Sequence, residues 1–127
     1  MKKLVHGFLF DIGHARAASE TLGMPFDEYV ERLPMHKIVE VHLAGCVHDL
    51  DGHLRPNHSK MNAEDYEFLE KLLEKQSTLR VVTLEYGTLG NKNTLEECPV
   101  VEYGKINEQA KSELYEQLIR LKEILKK

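Results

Sequence analysis

Three short apolar segments, separated by stretches with helical periodicity, constrain the fold of this chain most. Each is rich in Val, Leu, Ile or Phe and ends in Gly or a polar residue, as buried β-strands do. They are LVHGFLFD at 4–11, KIVEVHLAG at 37–45 and LRVVTLEYG at 79–87. Helical patterns occupy 14–23, 25–33, 62–76 and 106–126. The alternation β, α, β, α, β predicts an α/β fold with a parallel sheet and right-handed crossovers.

The chain has 127 residues, enough for one domain with a hydrophobic core. We expect a single domain with βα units over 1–90, an irregular segment over 91–104 and a terminal helix over 105–127. Residues 45–61 contain three histidines, and we predict a long loop there. Long ordered loops in compact domains often carry function.

Composition excludes several classes of function. The net charge of -4 gives no basic footprint for nucleic acid, so nucleic-acid binding is not expected. No apolar run approaches the length of a membrane span. Two cysteines, Cys46 and Cys98, do not make a disulfide framework. We therefore expect a cytoplasmic protein that does not enter membranes.

Side chains of one strand alternate between the two faces of a sheet, and this places polar groups together. Alternation in the second strand predicts one face with Ile38, Glu40, His42 and Ala44 and an opposite face with Val39, Val41 and Leu43. In the third strand, one face is predicted to carry Val81, Thr83 and Glu85. His42 and Glu85 thus lie near the carboxyl ends of their strands.

Imidazoles and carboxylates follow each predicted strand. Asp11 and His14 follow the first strand, His42 and Glu85 end the others, and His58 lies in the intervening loop. The carboxyl ends of parallel strands open on one side of the sheet, so these groups should converge. Asp11 alone is explained equally well as a helix N-cap. Together the five residues predict a site for zinc, iron or manganese with open coordination positions.

These motifs resemble the later part of the xylose-isomerase-like TIM barrels. The stretch FLFDIGHARAASETLGMPFDEYVERLPMHKIVEVHLAGC is most similar to the multinuclear non-haem iron enzymes that include the methanobactin-biosynthesis oxidase. The resemblance covers about residues 5–90. The family's Asp-with-His element, its HLAG strand, its loop histidine and its last-strand Glu correspond to Asp11 with His14, His42, His58 and Glu85. The resemblance implies that Glu85 is a metal ligand rather than a general base.

Two positions depart from the family pattern. The loop Asp of the family is Pro56 here, and DGH at 51–53 offers Asp51 and His53 as alternative ligands. The histidine that follows HLAG in the family is Cys46, with His48 two residues further on. A complete barrel has eight strands, of which this sequence predicts about three.

The resemblance implies a metal-dependent enzyme of the iron-oxidase type, acting on a peptide substrate with iron as cofactor. Sugar isomerase or epimerase chemistry, or an endonuclease IV-like site with zinc or manganese, is an alternative. A non-catalytic oligomeric or partner-binding module is a third.

Three parallel strands leave two open edges and one uncovered face. We therefore expect a homo-oligomer, most simply a dimer, or a partner chain that supplies the missing barrel strands. Part of the contact is expected from the terminal helix, through Leu114, Leu118, Leu121 and Leu125.

Overall fold

The computed structural model describes residues 7–76, 78–87, 101–102, 105–106 and 108–126. Seven short strands and four α-helices alternate along these residues. In chain order they are β1 (Phe8–Asp11), α1 (Ile12–Thr21), α2 (Phe26–Glu31), a 3-10 turn (Met35–Lys37), β2 (Ile38–Leu43), β3 (Gly45–His48), β4 (Leu54–Ser59), α3 (Ala63–Lys75), β5 (Val81–Leu84), β6 (Val101–Glu102), β7 (Lys105–Ile106) and α4 (Glu108–Leu125).

The predicted parallel sheet is present. It has the order β1-β2-β5, so β2 is central and the strands follow one another as they do in the chain. Helices α1 and α2 connect β1 to β2, and α3 precedes β5. The mixed α/β class and the C-terminal helix are confirmed. None of the helices in the described part of the chain is long and apolar enough to cross a membrane.

The pairing of β1 with β2 contains a register shift, and the observed faces of β2 therefore differ from the predicted ones. Phe8 pairs with Ile38, but Leu9 pairs with Glu40, so Val39 has no partner on β1. This extra residue turns Ile38 away from the Glu40 face, and Ile38 is fully buried in the core. The prediction that Ile38 shares a face with His42 was wrong, because strict alternation fails at a bulge.

One face of the sheet is packed and the other is half-open. On the packed face, Phe10, Val41 and Leu43 join a core that α3 and α4 complete with Tyr66, Leu69, Leu72, Leu121 and Ile124. On the open face, Leu9 is 46% exposed and Val81 is 47% exposed. These two flank Glu40 in register. The open face therefore carries both apolar surface and the predicted site.

Residues 45–61 are not a loop but mostly a β-hairpin. β3 and β4 pair antiparallel, and the turn between them is tied by Asp49, whose Oδ1 accepts the backbone N–H groups of Asp51 and His53 at 3.0 Å. Gly52 takes φ +82 in this turn, a value that favours glycine. Sequence alternation across the hairpin is interrupted by Pro56 and by polar residues, which hides the strand signal.

The terminal helix begins at Glu108 rather than at 105, since Lys105–Ile106 pairs with Val101–Glu102 as a two-stranded ladder. Most of the predicted irregular segment, 88–100, lies outside the described residues. The predicted leucine stripe is divided between two environments. Leu121 is buried in the chain's own core, whereas Leu118 and Leu125 are exposed. Exposed Tyr115 and Ile119 extend the apolar surface of α4.

Replacement of Leu69 by Ala should destabilise the fold strongly. Leu69 is completely buried in the hydrophobic core, and truncation of such a side chain costs about 2–5 kcal/mol through lost burial and a residual cavity. Urea unfolding followed by circular dichroism measures the effect. Leu22→Ala is the matched control, because Leu22 is 64% exposed and its truncation should change the unfolding free energy by less than about 0.5 kcal/mol. Equal effects of the two changes would contradict the core assignment.

Candidate metal centre

Asp11 ends β1 and also caps α1. Its Oδ1 accepts the backbone N–H of His14 at 2.9 Å, which satisfies one of the free donors at the start of the helix. The His14 imidazole lies against the same oxygen, with Nδ1 at 3.0 Å, but this ring is 67% exposed. The capping role considered from the sequence is therefore real, and it places the Asp11 carboxylate at the carboxyl edge of the sheet.

The sheet register brings two further side chains to Asp11. His42 is the direct partner of Asp11 across β1 and β2, and Glu85 follows β5 with its backbone N–H bound to Leu43 O at 2.8 Å. One ligand atom from each of Asp11, His42 and Glu85 lies within 4.8 Å of the others. His42 Nδ1 is 3.3 Å from Glu85 Oε1. All three side chains are partly buried, so the cluster is shielded without being closed.

His58 joins this cluster from the end of β4. Its Nε2 is 3.6 Å from Glu85 Oε2, and its carbonyl accepts the backbone N–H of Gly87 at 3.0 Å. His58 has φ +58, a conformation that few residues other than glycine adopt. The chain segment around His58 is thus held against the segment that carries Glu85. His14 and His58 both remain candidate ligands, each beside one carboxylate of the central group.

The structure places the alternative ligands elsewhere. Asp51 and His53 lie in the hairpin turn, and the His48 imidazole lies beside Glu20, with Nε2 3.9 Å from Oε2. The turn is at the opposite end of β3 from the sheet edge, roughly 10–13 Å away at about 3.3 Å per residue. In this turn the Arg55 guanidinium, which donates to Asp49, holds the pKa of the Asp49 carboxyl below its usual range.

Cys46 lies where the family pattern has a histidine, but its thiol serves the fold. Sγ donates to the carbonyl of Gly13 at 3.1 Å. Burial raises the pKa of the Cys46 thiol to about 12, and the nearby Asp65 carboxylate adds to this shift. Since metals bind the thiolate, Cys46 is poorly suited to be a ligand.

One residue of the site was not recognised from the sequence. Glu40 Oε1 lies 2.8 Å from His42 Nε2, on the side of the ring away from Glu85, and it accepts a hydrogen bond from Thr83 Oγ1 at 3.1 Å. The signal was present in the predicted face that Glu40 shares with His42, two residues on. A carboxylate that accepts from the second nitrogen of a metal-binding histidine is a recurring feature of metal sites.

The donor set fits a divalent transition metal. A metal about 2.0–2.2 Å from each donor requires donor atoms no more than about 4.4 Å apart. The three donor atoms lie within 4.8 Å of one another, so small side-chain movements, of a few tenths of an ångström, would bring them to bonding distance of one ion. One imidazole and two carboxylates suit iron, zinc or manganese and leave coordination positions open. Comparison of the chain with models of protein families, with curated proteins and with solved structures found no match.

Cys46 should react very slowly with thiol reagents. At pH 8, a shift of the pKa from 9.0 to about 12 lowers the thiolate fraction roughly a thousandfold. The measurement is the labelling rate with a disulfide reagent in a Cys98→Ser background, in the folded chain and in urea. Labelling that is equally fast in both states would contradict a buried, hydrogen-bonded thiol.

Proposed function

We propose that this chain binds a divalent transition metal through Asp11, His42 and Glu85, with His58 and His14 as further candidate ligands. The observation that carries the proposal is that Asp11, His42 and Glu85, from the carboxyl ends of three separate strands, each bring one ligand atom within 4.8 Å of the others. Iron is the metal that the family resemblance favours, and zinc and manganese are the alternatives. The open positions and the partial exposure of the group would admit a substrate.

Our proposal for the reaction class rests on the resemblance. In this proposal the chain is part of a xylose-isomerase-like barrel and acts in an iron-dependent oxidation of a peptide substrate. The order β1-β2-β5, in which parallel strands follow one another along the sheet, supports the barrel relationship. Sugar isomerisation, epimerisation or endonuclease IV-like hydrolysis is the alternative chemistry for a site of this composition.

A bound metal of this class supplies Lewis acidity and, for iron, redox chemistry. The chain's own residues then have separable tasks. The Glu85 carboxylate lies between the imidazoles of His42 and His58 and is close to both. Asp11 is held in place by its helix-capping bond. The ligand role proposed for Glu85 follows from this central position among the imidazoles.

We also propose that two chains, or this chain and a partner, assemble through the open face of the sheet. Leu9 and Val81 lie there half-exposed beside Glu40, and both β1 and β5 have one unpaired edge in the described sheet. Burial of such side chains contributes about 1.5–3 kcal/mol each. This observation favours an oligomeric or partner-binding role, with or without catalysis.

The metal proposal predicts that the chain binds iron(II), manganese(II) or zinc(II) at about one equivalent. His42→Ala and Glu85→Ala should each weaken binding by more than about 100-fold, because each removes a direct ligand. Elemental analysis after dialysis and anaerobic calorimetric titration measure this. His53→Ala is the matched control for His42→Ala, and Asp51→Ala, which also removes one carboxylate, is the control for Glu85→Ala. Both residues lie in the hairpin turn, and both changes should leave the affinity for the metal unchanged.

Circular dichroism of each variant separates lost ligands from lost folding. A folded wild-type chain that takes up none of the three metals would contradict the metal site and favour the partner-binding role. Iron charge-transfer absorption and oxygen consumption in the loaded protein would distinguish the oxidase class from the isomerase and endonuclease classes.

The assembly proposal predicts a mass of two chains in solution at micromolar concentration. Multi-angle light scattering measures it. A Leu9→Ser and Val81→Ser double variant should shift the mass toward one chain, since it removes apolar surface from the open face. Leu22→Ser with Leu50→Ser is the control, because these leucines are exposed outside the open face, at 64% and 61%. A monodisperse wild-type monomer would contradict a homodimer, and a monomer that remains folded would restrict the proposal to a different partner chain.

A further inference from the structure

The His42 imidazole lies between two carboxylates that face its two nitrogens. Nδ1 is 3.3 Å from Glu85 Oε1, and Nε2 is 2.8 Å from Glu40 Oε1. Only one nitrogen of a neutral imidazole carries a proton, and the other offers a lone pair. The two carboxylates therefore compete to determine which nitrogen is available for a metal.

Glu40 is the better placed of the two to accept the N–H hydrogen bond of His42. Its contact with His42 is the shorter, and its Oε1 also accepts a hydrogen bond from Thr83 Oγ1 at 3.1 Å. Thr83 is the register partner of His42 on β5, so all three side chains project from the paired central part of the sheet. Side chains fixed on strands hold their geometry more precisely than side chains on loops.

Glu85 has the opposite position. It follows the last residue of β5, and its oxygens face His42, His58 and Asp11 in the group of candidate ligands. If the N–H of His42 donated its hydrogen bond to Glu85, Nδ1 would have no lone pair for a cation and one Glu85 oxygen would be occupied. If His42 donates to Glu40, both the Nδ1 lone pair and the Glu85 carboxylate remain available to a cation.

We propose that Glu40 is the positioning residue of the metal centre, which accepts the Nε2–H hydrogen bond of His42 and so directs the Nδ1 lone pair toward Asp11 and Glu85. Thr83 has a supporting role, because its hydroxyl fixes the Glu40 oxygen that receives this bond. The proposal rests on the proposed metal-binding function and adds the residue that determines which His42 nitrogen binds.

The direct test is the tautomer of His42 in the metal-free chain, read from histidine ¹⁵N and ¹³C chemical shifts. We expect Nε2–H in the wild type and in Glu40→Gln, whose amide oxygen still accepts a hydrogen bond. Glu40→Met keeps the length of the side chain but has no comparable acceptor. In this variant the His42 tautomer should change to Nδ1–H, which donates a hydrogen bond to Glu85. An unchanged tautomer in Glu40→Met would overturn the proposal.

The second measurement is the affinity for zinc(II), which is free of redox complications. Glu40→Met should weaken binding by about 10–100-fold, as is typical when the partner of a histidine ligand is removed, and Glu40→Gln by clearly less. Thr83→Val should weaken binding, whereas Thr83→Ser should not. Glu31→Met makes the same substitution at an exposed glutamate of α2, away from the Glu40 contact, and it controls for the added methionine.

The two proposals fail in different ways. A wild-type chain that binds no metal contradicts the metal function, while the tautomer of the metal-free chain still tests the role of Glu40. A wild-type chain that binds metal, with Glu40→Met equal to it in affinity and tautomer, overturns the positioning role alone. Urea unfolding midpoints of all variants identify any that fail to fold, and the Thr83→Val and Thr83→Ser pair then tests the same hydrogen bond.

Discussion

The register of three parallel strands is the constraint on which the rest of this structure depends. The pairs Asp11 with His42 and His42 with Thr83 place these side chains in one row across β1, β2 and β5. A slip of one residue in any strand would send its side chains to the opposite face. In the same register, Phe10 pairs with Val41 one residue earlier in each strand, and both side chains are buried in the core. The hydrophobic pairs thus hold the strands in the alignment that brings the polar cluster together.

The separation of apolar and polar side chains onto opposite faces of the sheet explains how a small domain carries several ionisable groups and still has a hydrophobic core. Phe10, Val41 and Leu43 are almost completely buried on one face, whereas Asp11, His42 and Glu85 stay partly hydrated at the edge of the other. Burial of unpaired charges would cost several kcal/mol, and here each ionisable group has a polar neighbour and some contact with solvent. The bulge at Val39 contributes to this separation of the two faces, because it places Ile38 in the core while Glu40 remains beside His42.

The sequence allowed the three parallel strands, the helix within 62–76 and the meeting of Asp11, His42 and Glu85 to be predicted, since each follows from local periodicity and parallel topology. The hairpin and the bulge could not be predicted in this way. Both depend on pairing between segments and on backbone conformations such as φ +58 at His58, which local patterns do not encode. Glu40 was assigned to the correct face, but its contacts with His42 and Thr83 require the relative positions of two strands.

The two interpretations of Asp11, as a helix cap and as a metal ligand, turn out to be compatible. A carboxylate has two oxygens with about four lone-pair sites, and the cap uses one of them on Oδ1. The bond to the backbone of His14 fixes the orientation of the carboxylate. A ligand that is already oriented loses less conformational freedom when a metal binds. The capping bond therefore holds the Asp11 carboxylate in position at this edge of the sheet, where the proposed metal site would use it.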